Sequence, residues 1–90
     1  MKAVTITHIL SLGKERILIS TDGYKTMIYN HAPSYKYPFM REGIWRELVH
    51  LKEIDNNRIV TSCLHHDFFI LANDDCHFFM FDTIGYKIVD

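Results

Sequence analysis

Hydrophobic and polar positions alternate along the first part of the chain, in short segments that end at turn residues. Residues 2–10 place Val4 and Ile6 on one side and Thr5 and Thr7 on the other. This period of two is typical of a half-buried β-strand. The pattern therefore predicts that the chain begins with a strand.

A second signal follows at Asp22-Gly23, which separates residues 16–20 from residues 24–29. Both flanking segments are rich in β-branched and aromatic side chains. Asp-Gly between two such segments favours a hairpin, because both central residues of a type I′ turn have positive φ. We expect a hairpin with Asp22 and Gly23 at its tip.

The alternation stops at residues 30–38, which read as a loop containing two prolines. Pro38 suits the first turn of a helix, where the missing N–H costs nothing. Apolar side chains then recur every three or four residues, as on one face of a helix: Met40, Ile44, Leu48 and Leu51. This spacing predicts one short helix over residues 39–48.

The second half of the chain returns to short apolar segments separated by turn residues. The candidate strands are 49–54, 58–64, 67–72, 76–81 and 86–89. Regular spacing of this kind is typical of an antiparallel meander. The predicted fold is mainly β (α+β), with about seven or eight short strands forming a sandwich or partly open barrel. We expect residues 1–90 to be a single domain, since this length fits one core.

Sliding the sequence by 42 positions aligns the two halves without a gap, so that His8 falls on His50 and Arg16 on Arg58. One interpretation is a duplicated unit, residues 7–30 and 49–72. The other is that any two meanders align this well at their best offset. With this period, the segment 58–82, which carries Phe81-Asp82 near a strand end, resembles a blade of a WD-type propeller. The Gly-His and Trp-Asp pairs of that family are missing, and two blades cannot close a propeller. The function of that family is therefore not inferred for this chain.

Charge and composition exclude several classes of protein. Ten Lys and Arg stand against eleven Asp and Glu, which leaves a formal charge of −1. A nonspecific nucleic-acid binder would carry a basic surplus. No segment has the uninterrupted apolar stretch of a secretory signal or of a membrane span. We expect a cytoplasmic protein whose two cysteines, Cys63 and Cys76, are reduced and buried.

The two apolar runs of the second half, residues 68–71 and 78–81, do not alternate. A sheet with one face in water should alternate, so both faces of this hairpin need cover. The rest of the chain supplies that cover, or a second subunit does, and the sequence favours neither. On the second alternative, the predicted homodimer interface consists of Phe69, Leu71, Phe79 and Phe81.

A second candidate surface lies in and after the proline-containing loop. Tyr, Trp and Arg dominate binding hot spots, because each combines a large contact area with a directional polar group. Proline stiffens the loop and lowers the entropy lost on binding. The predicted partner-binding residues are Tyr35, Lys36, Tyr37, Arg41, Trp45 and Arg46.

Metal-binding and catalytic residues are indicated less clearly than the two candidate binding surfaces. Cysteines and histidines after residue 62 include zinc-ligand types, but Cys63 and Cys76 fall at opposite ends of a predicted strand, too far apart for one ion. We predict no metal and no cofactor. The segment His65-His66-Asp67 offers a general base beside a carboxylate. As a hairpin tip it would be exposed, and we expect it to be a polar turn.

The leading hypothesis is a small non-enzymatic protein-interaction module, an adaptor or inhibitor that docks on another protein and forms a homodimer. One alternative is a small hydrolase or nuclease that uses His65, His66 and Asp67. The other is a domain that binds single-stranded nucleic acid, in which Tyr35 and Tyr37 stack on bases.

Overall fold

The computed structural model describes residues 4–33 and 43–89. In this part of the chain, seven antiparallel strands form two sheets, and within each sheet every strand pairs with its neighbours in sequence. The first sheet contains β1 (Ile6–Gly13), β2 (Arg16–Thr21), β3 (Thr26–Pro33) and β4 (Gly43–His50). The second sheet contains β5 (Ile59–His65), β6 (Phe68–Asn73) and β7 (Phe78–Asp82). The predicted mainly β meander is confirmed.

The predicted helix over residues 39–48 is wrong where the structure describes it, because β4 occupies residues 43–48. This segment pairs with β3, which supplies hydrogen-bond partners along its length. Leu48 is an extra residue in a β-bulge between Val49 and Glu47. A bulge breaks the period of two, so this segment lacks the alternation that indicates a strand. Residues 39–42 lie outside the described part.

The hairpin around Asp22-Gly23 is confirmed, but its turn differs from the prediction. The connection from β2 to β3 has four residues, 22–25, and its residue with positive φ is Tyr24, at 59°. Two consecutive positive φ angles occur instead at Lys14 (51°) and Glu15 (63°), which connect β1 to β2. This two-residue connection has the sign pattern of a type I′ turn.

The core lies between the two sheets. The first sheet contributes Leu18 and Ile28, and the second contributes Phe69, Leu71 and Phe81, all with 0% exposure. Phe69 and Phe81 are opposite each other on β6 and β7, with stacked rings and centroids 5.3 Å apart. Leu51 and Ile54, from the connection between the sheets, and Ile59, the first residue of β5, complete the buried cluster. The connection itself therefore contributes to the core.

Polar contacts fix this connection, which contains a short 3-10 helix at Lys52–Ile54. The Asn73 side-chain amide, 5% exposed, donates to Asn57 Oδ1 at 2.8 Å. Asn73 Oδ1 accepts from the backbone N–H groups of Asp75 and His77. Asn73 therefore joins the connection to the turn between β6 and β7.

Two strand boundaries differ from the prediction. Residues 49–54 divide between the end of β4 and the 3-10 helix. Residues 86–89 make a single antiparallel bridge, Phe81 to Ile88, beside β7. The duplication of residues 7–30 and 49–72 stays a prediction. At its offset, β2 falls on β5 and β3 on β6.

Candidate functional site

The predicted homodimer residues lie mainly in the core of the single chain. Phe69, Leu71 and Phe81 are fully buried, and Phe79 is half-buried and packs against the core. Their side chains face the first sheet, so they are not available to a partner. This corrects the choice of side chains. In a strand that is apolar at every position, the sequence does not indicate whether the odd-numbered or the even-numbered side chains face inward. In the structure the odd-numbered side chains of β6 and β7 face the first sheet.

The opposite side of the second sheet carries apolar residues that the first sheet does not cover. Two rows cross its three strands and define what we call the second outer face: Cys63–Ile70–Met80 and Thr61–Ala72–Phe78. Phe78 is 69% exposed, and Ile70, Ala72 and Met80 are half-buried. A shallow depression of about 120 Å³ lies over β5 and β6, between Cys63, Ile70 and Ala72. This face is a candidate docking surface.

The first sheet has a corresponding uncovered side, which we call the first outer face. Its rows across β1, β2 and β3 are Ile9–Ile19–Met27 and Ser11–Ile17–Tyr29. Ile9 is 57% exposed, and Ile17, Ile19 and Met27 are half-buried. The two-sheet stack therefore has an apolar strip on each of its two sides.

The loop after β7 is held by Asp82, at the margin of the second sheet. Its carboxylate accepts from the backbone N–H groups of Ile84 at 3.0 Å, Gly85, and Lys87 at 3.2 Å. These hydrogen bonds, that of Gly85 first, stabilise the charged form and lower the pKa of Asp82 below its usual value. The Asp82 carboxylate thus fixes the path of the chain towards residue 88.

A cleft of about 530 Å³ opens between the tips of the two sheets. Its cationic side consists of Lys14 and Arg16, and His66 and Asp67 lie across from them. The Arg16 guanidinium donates to the Tyr86 hydroxyl and lies near its ring, 5.7 Å from the centroid. The cleft is thus amphipathic, and it is large enough for a small ligand.

The structure places His65, His66 and Asp67 at the tip between β5 and β6, and all three are exposed. The two imidazole rings are in edge contact, with centroids 4.4 Å apart. Among the hydrogen bonds described, none joins either ring to the Asp67 carboxylate. Asp67 contributes instead its backbone oxygen, which accepts from the Thr83 hydroxyl at 3.0 Å. The predicted polar turn fits this geometry.

Most of the predicted partner-binding loop lies outside the described residues. Tyr35, Lys36, Tyr37 and Arg41 belong to that segment. The structure describes the backbone of Trp45 within β4, and it describes Arg46 as exposed on the same strand. A role of this loop in binding stays a prediction.

The two cysteines are free and exposed, so the expectation that they are buried is wrong. Cys63 lies in the second outer face, and Cys76 has a positive φ in the turn between β6 and β7. Within residues 4–33 and 43–89, no three His, Cys, Asp or Glu side chains are grouped to hold a metal ion.

The sequence did not indicate the polar link between the two sheets. His8 Nε2 and Ser62 Oγ form a short hydrogen bond between β1 and β5. A serine beside a histidine is a possible nucleophile and base, but no described carboxylate is hydrogen-bonded to this imidazole. The pair connects the sheets where their strands approach most closely. The residues are far apart in sequence and carry no spacing signal.

Comparisons with known proteins gave no relative: no protein-family model, no curated protein and no solved structure matches the chain. In the described part of the chain, no helix has the length and apolar character needed to cross a bilayer. The two outer faces and the cleft are the features of the described residues that bear on function.

Proposed function

We propose that this chain is a non-enzymatic protein-interaction module, an adaptor or inhibitor that acts by docking in the cytoplasm. The observation that carries the proposal is the second outer face, where Phe78 is 69% exposed beside half-buried Ile70 and Met80. Contiguous apolar residues on one side of a sheet are typical of a protein-binding surface.

The energetic argument concerns apolar area. Full burial of a Phe or Met side chain contributes roughly 1.5–3 kcal/mol relative to exposure. Most of the Phe78 side chain can still be buried by a partner, whereas Phe69 and Phe81 are already fully buried on folding. A partner that covers the face also covers Ile70, Met80 and Cys63.

The test compares three forms of the chain immobilised on a resin: the natural sequence, Phe78→Lys and Ile84→Lys. Ile84 is 86% exposed but lies beyond β7, outside the outer face, so it is a matched control for an added lysine. A cell extract is passed over each resin. We expect at least one protein to bind to the natural chain and to Ile84→Lys but not to Phe78→Lys. The candidate partner is then purified and its Kd measured for all three forms. Equal Kd values would overturn the proposal.

The hydrolase alternative has one observation in its favour, because His66 and Asp67 line the cleft together with Arg16. A general base needs a substrate within hydrogen-bond reach, and the cleft provides room for one. His66→Ala should then abolish hydrolysis of a phosphodiester or ester substrate. Unchanged or absent hydrolysis would eliminate this alternative.

A further inference from the structure

The two sheets have the same hairpin plan. The connections β1–β2 and β5–β6 have two residues each, and the connections β2–β3 and β6–β7 have four. In the four-residue turns, Thr21 N donates to Lys25 O at 3.1 Å, and Asn73 N donates to His77 O at 2.9 Å. Tyr24 and Cys76 share a positive φ, 59° and 67°. Strands β2 and β3 therefore correspond to β6 and β7, with a difference of 52 positions between Tyr24 and Cys76.

Corresponding residues of the two sheets do not face the same way. The pair Leu18–Ile28 corresponds to the pair Ile70–Met80. Leu18 and Ile28 are buried between the sheets, whereas Ile70 and Met80 lie on the second outer face. The sheets are thus stacked front to back, with the same side of each sheet pointing in the same direction.

The reverse comparison gives the same result. Phe69 and Phe81 face inward in the second sheet, and their counterparts in the first sheet are Ile17 and Tyr29. Those counterparts lie on the first outer face. The two surfaces that meet inside the chain are therefore equivalents of the two surfaces left on its outside. The second outer face corresponds to the inner side of the first sheet, and the first outer face to the inner side of the second sheet.

We propose that the occupant of the second outer face is the first outer face of a second copy of this chain. The inference rests on the proposed docking function and names its partner. Packing Cys63, Ile70 and Met80 of one copy against Ile9, Ile19 and Met27 of the next repeats the internal stacking. The contact is heterologous, because two different surfaces meet. Such contacts form closed rings or open fibres rather than symmetric dimers.

Charge also favours contact between unlike faces. The described residues of the first sheet, 4–33 and 43–50, carry four Lys or Arg against three Asp or Glu, and Glu47 lies beside Tyr29 on the first outer face. Residues 58–89, which form the second sheet and the segment after it, carry two Lys or Arg against four Asp or Glu. Pairing two second outer faces would bring the acidic groups around them together, among them Asp67 and Asp82. Head-to-tail stacking instead places the acidic sheet beside the sheet with a basic surplus. The contact between unlike faces therefore involves less charge repulsion than the pairing of two second outer faces.

The experiment is a complementation test with one lysine on each face. Ile9→Lys blocks the first outer face, and Phe78→Lys blocks the second. Both residues are more than half exposed, so the variants keep the fold, which circular dichroism checks. Sedimentation velocity should show oligomers for the natural chain and for Ile84→Lys, and monomers for each blocked variant alone. An equimolar mixture of the blocked variants should form a dimer with one copy of each and nothing larger.

Other results would overturn the proposal. If the natural chain stays monomeric at its solubility limit, self-association is contradicted. If the natural chain also binds another protein in the resin experiment and Phe78→Lys does not, the proposed docking function still holds. If one blocked variant remains dimeric while the other is monomeric, a like-face dimer is indicated. A mixture that stays monomeric contradicts head-to-tail pairing.

A disulfide test makes the same distinction without introducing charge. His8 and Ser62 are hydrogen-bonded between the sheets, and their counterparts on the two outer faces are Thr61 and Ile9. In a background with Cys63→Ser and Cys76→Ser, Ile9→Cys combined with Thr61→Cys should form intermolecular disulfides and give a ladder of linked copies on oxidation. Linked dimers of the Thr61→Cys variant alone, without a ladder from the double variant, would contradict the proposal.

Discussion

Truncation of Phe81 tests which side of the second sheet is the core. Phe81 is fully buried and stacks on Phe69, so Phe81→Ala removes a ring that both sheets enclose. Buried Phe→Ala substitutions cost about 3–5 kcal/mol in the free energy of unfolding. A domain of this length has a total of roughly 5–13 kcal/mol. Phe81→Ala should therefore remove a large share of the stability.

The matched control is Phe78→Ala on the adjoining outer face. Phe78 is 69% exposed, so its truncation should change the free energy of unfolding by no more than about 0.5 kcal/mol. Urea denaturation followed by circular dichroism, at a concentration where the chain is monomeric, measures both variants. With a slope of about 1.5 kcal/mol per molar urea, Phe81→Ala should lower the midpoint by roughly 2–3 M.

If Phe81→Ala does not fold, Phe81→Leu provides the measurement, with an expected loss of about 1–2 kcal/mol. The face assignment would be refuted if Phe78→Ala destabilised the chain as much as the Phe81 variant did. It would also be refuted if both Phe81 variants left the midpoint unchanged.

Three further predictions concern turns and polar contacts. Lys14→Asn combined with Glu15→Gly should raise the free energy of unfolding by about 0.4–1 kcal/mol, because both residues have positive φ; a lower midpoint in urea would contradict this. Asn73→Ala should lower the free energy of unfolding by about 1–3 kcal/mol, because Asn57 Oδ1 and the backbone amides of Asp75 and His77 lose their hydrogen-bond partner. Thermal unfolding measures this loss of stability. Folding lowers the pKa of Asp82, so the stability that its charged carboxylate contributes is present above the unfolded pKa and is lost as the pH falls through the folded pKa. Protonation should therefore release the amides of Ile84, Gly85 and Lys87, and their hydrogen-exchange protection should fall in acid more than that of the other amides. In Asp82→Ala this extra loss of protection in acid should be absent.

The sequence predicted the strands correctly where polar turn residues separate one apolar segment from the next. It was wrong about the turn at Asp22-Gly23, because a four-residue connection places the positive φ at Tyr24, a residue without the usual preference for it. The positive φ angles at Lys14 and Glu15 were equally hidden. Turn type depends on how the strands pair, and pairing is a tertiary property.

The residues predicted for the homodimer interface lie on the inward side of their hairpin. Residues 68–71 and 78–81 are apolar at every position, so periodicity contains no information about which side faces inward. The choice is made by the first sheet, which presents Leu18 and Ile28 to only one side. For β4, a bulge at Leu48 interrupts the alternation that would have indicated a strand. Both errors have the same origin, since an alternation signal was absent or displaced.

Each sheet is built from one uninterrupted stretch of chain, residues 6–50 for the first and 59–82 for the second. Its ladders close loops of only two to four residues within each meander β1–β3 and β5–β7, and short loops lose little entropy on closure. We expect the contacts between the sheets, which join groups as distant in sequence as His8 and Ser62, to form later than the hairpins of each sheet. Substitutions in the hairpin turns should act mainly on how fast each half forms, and substitutions between the sheets mainly on how long the docked molecule survives.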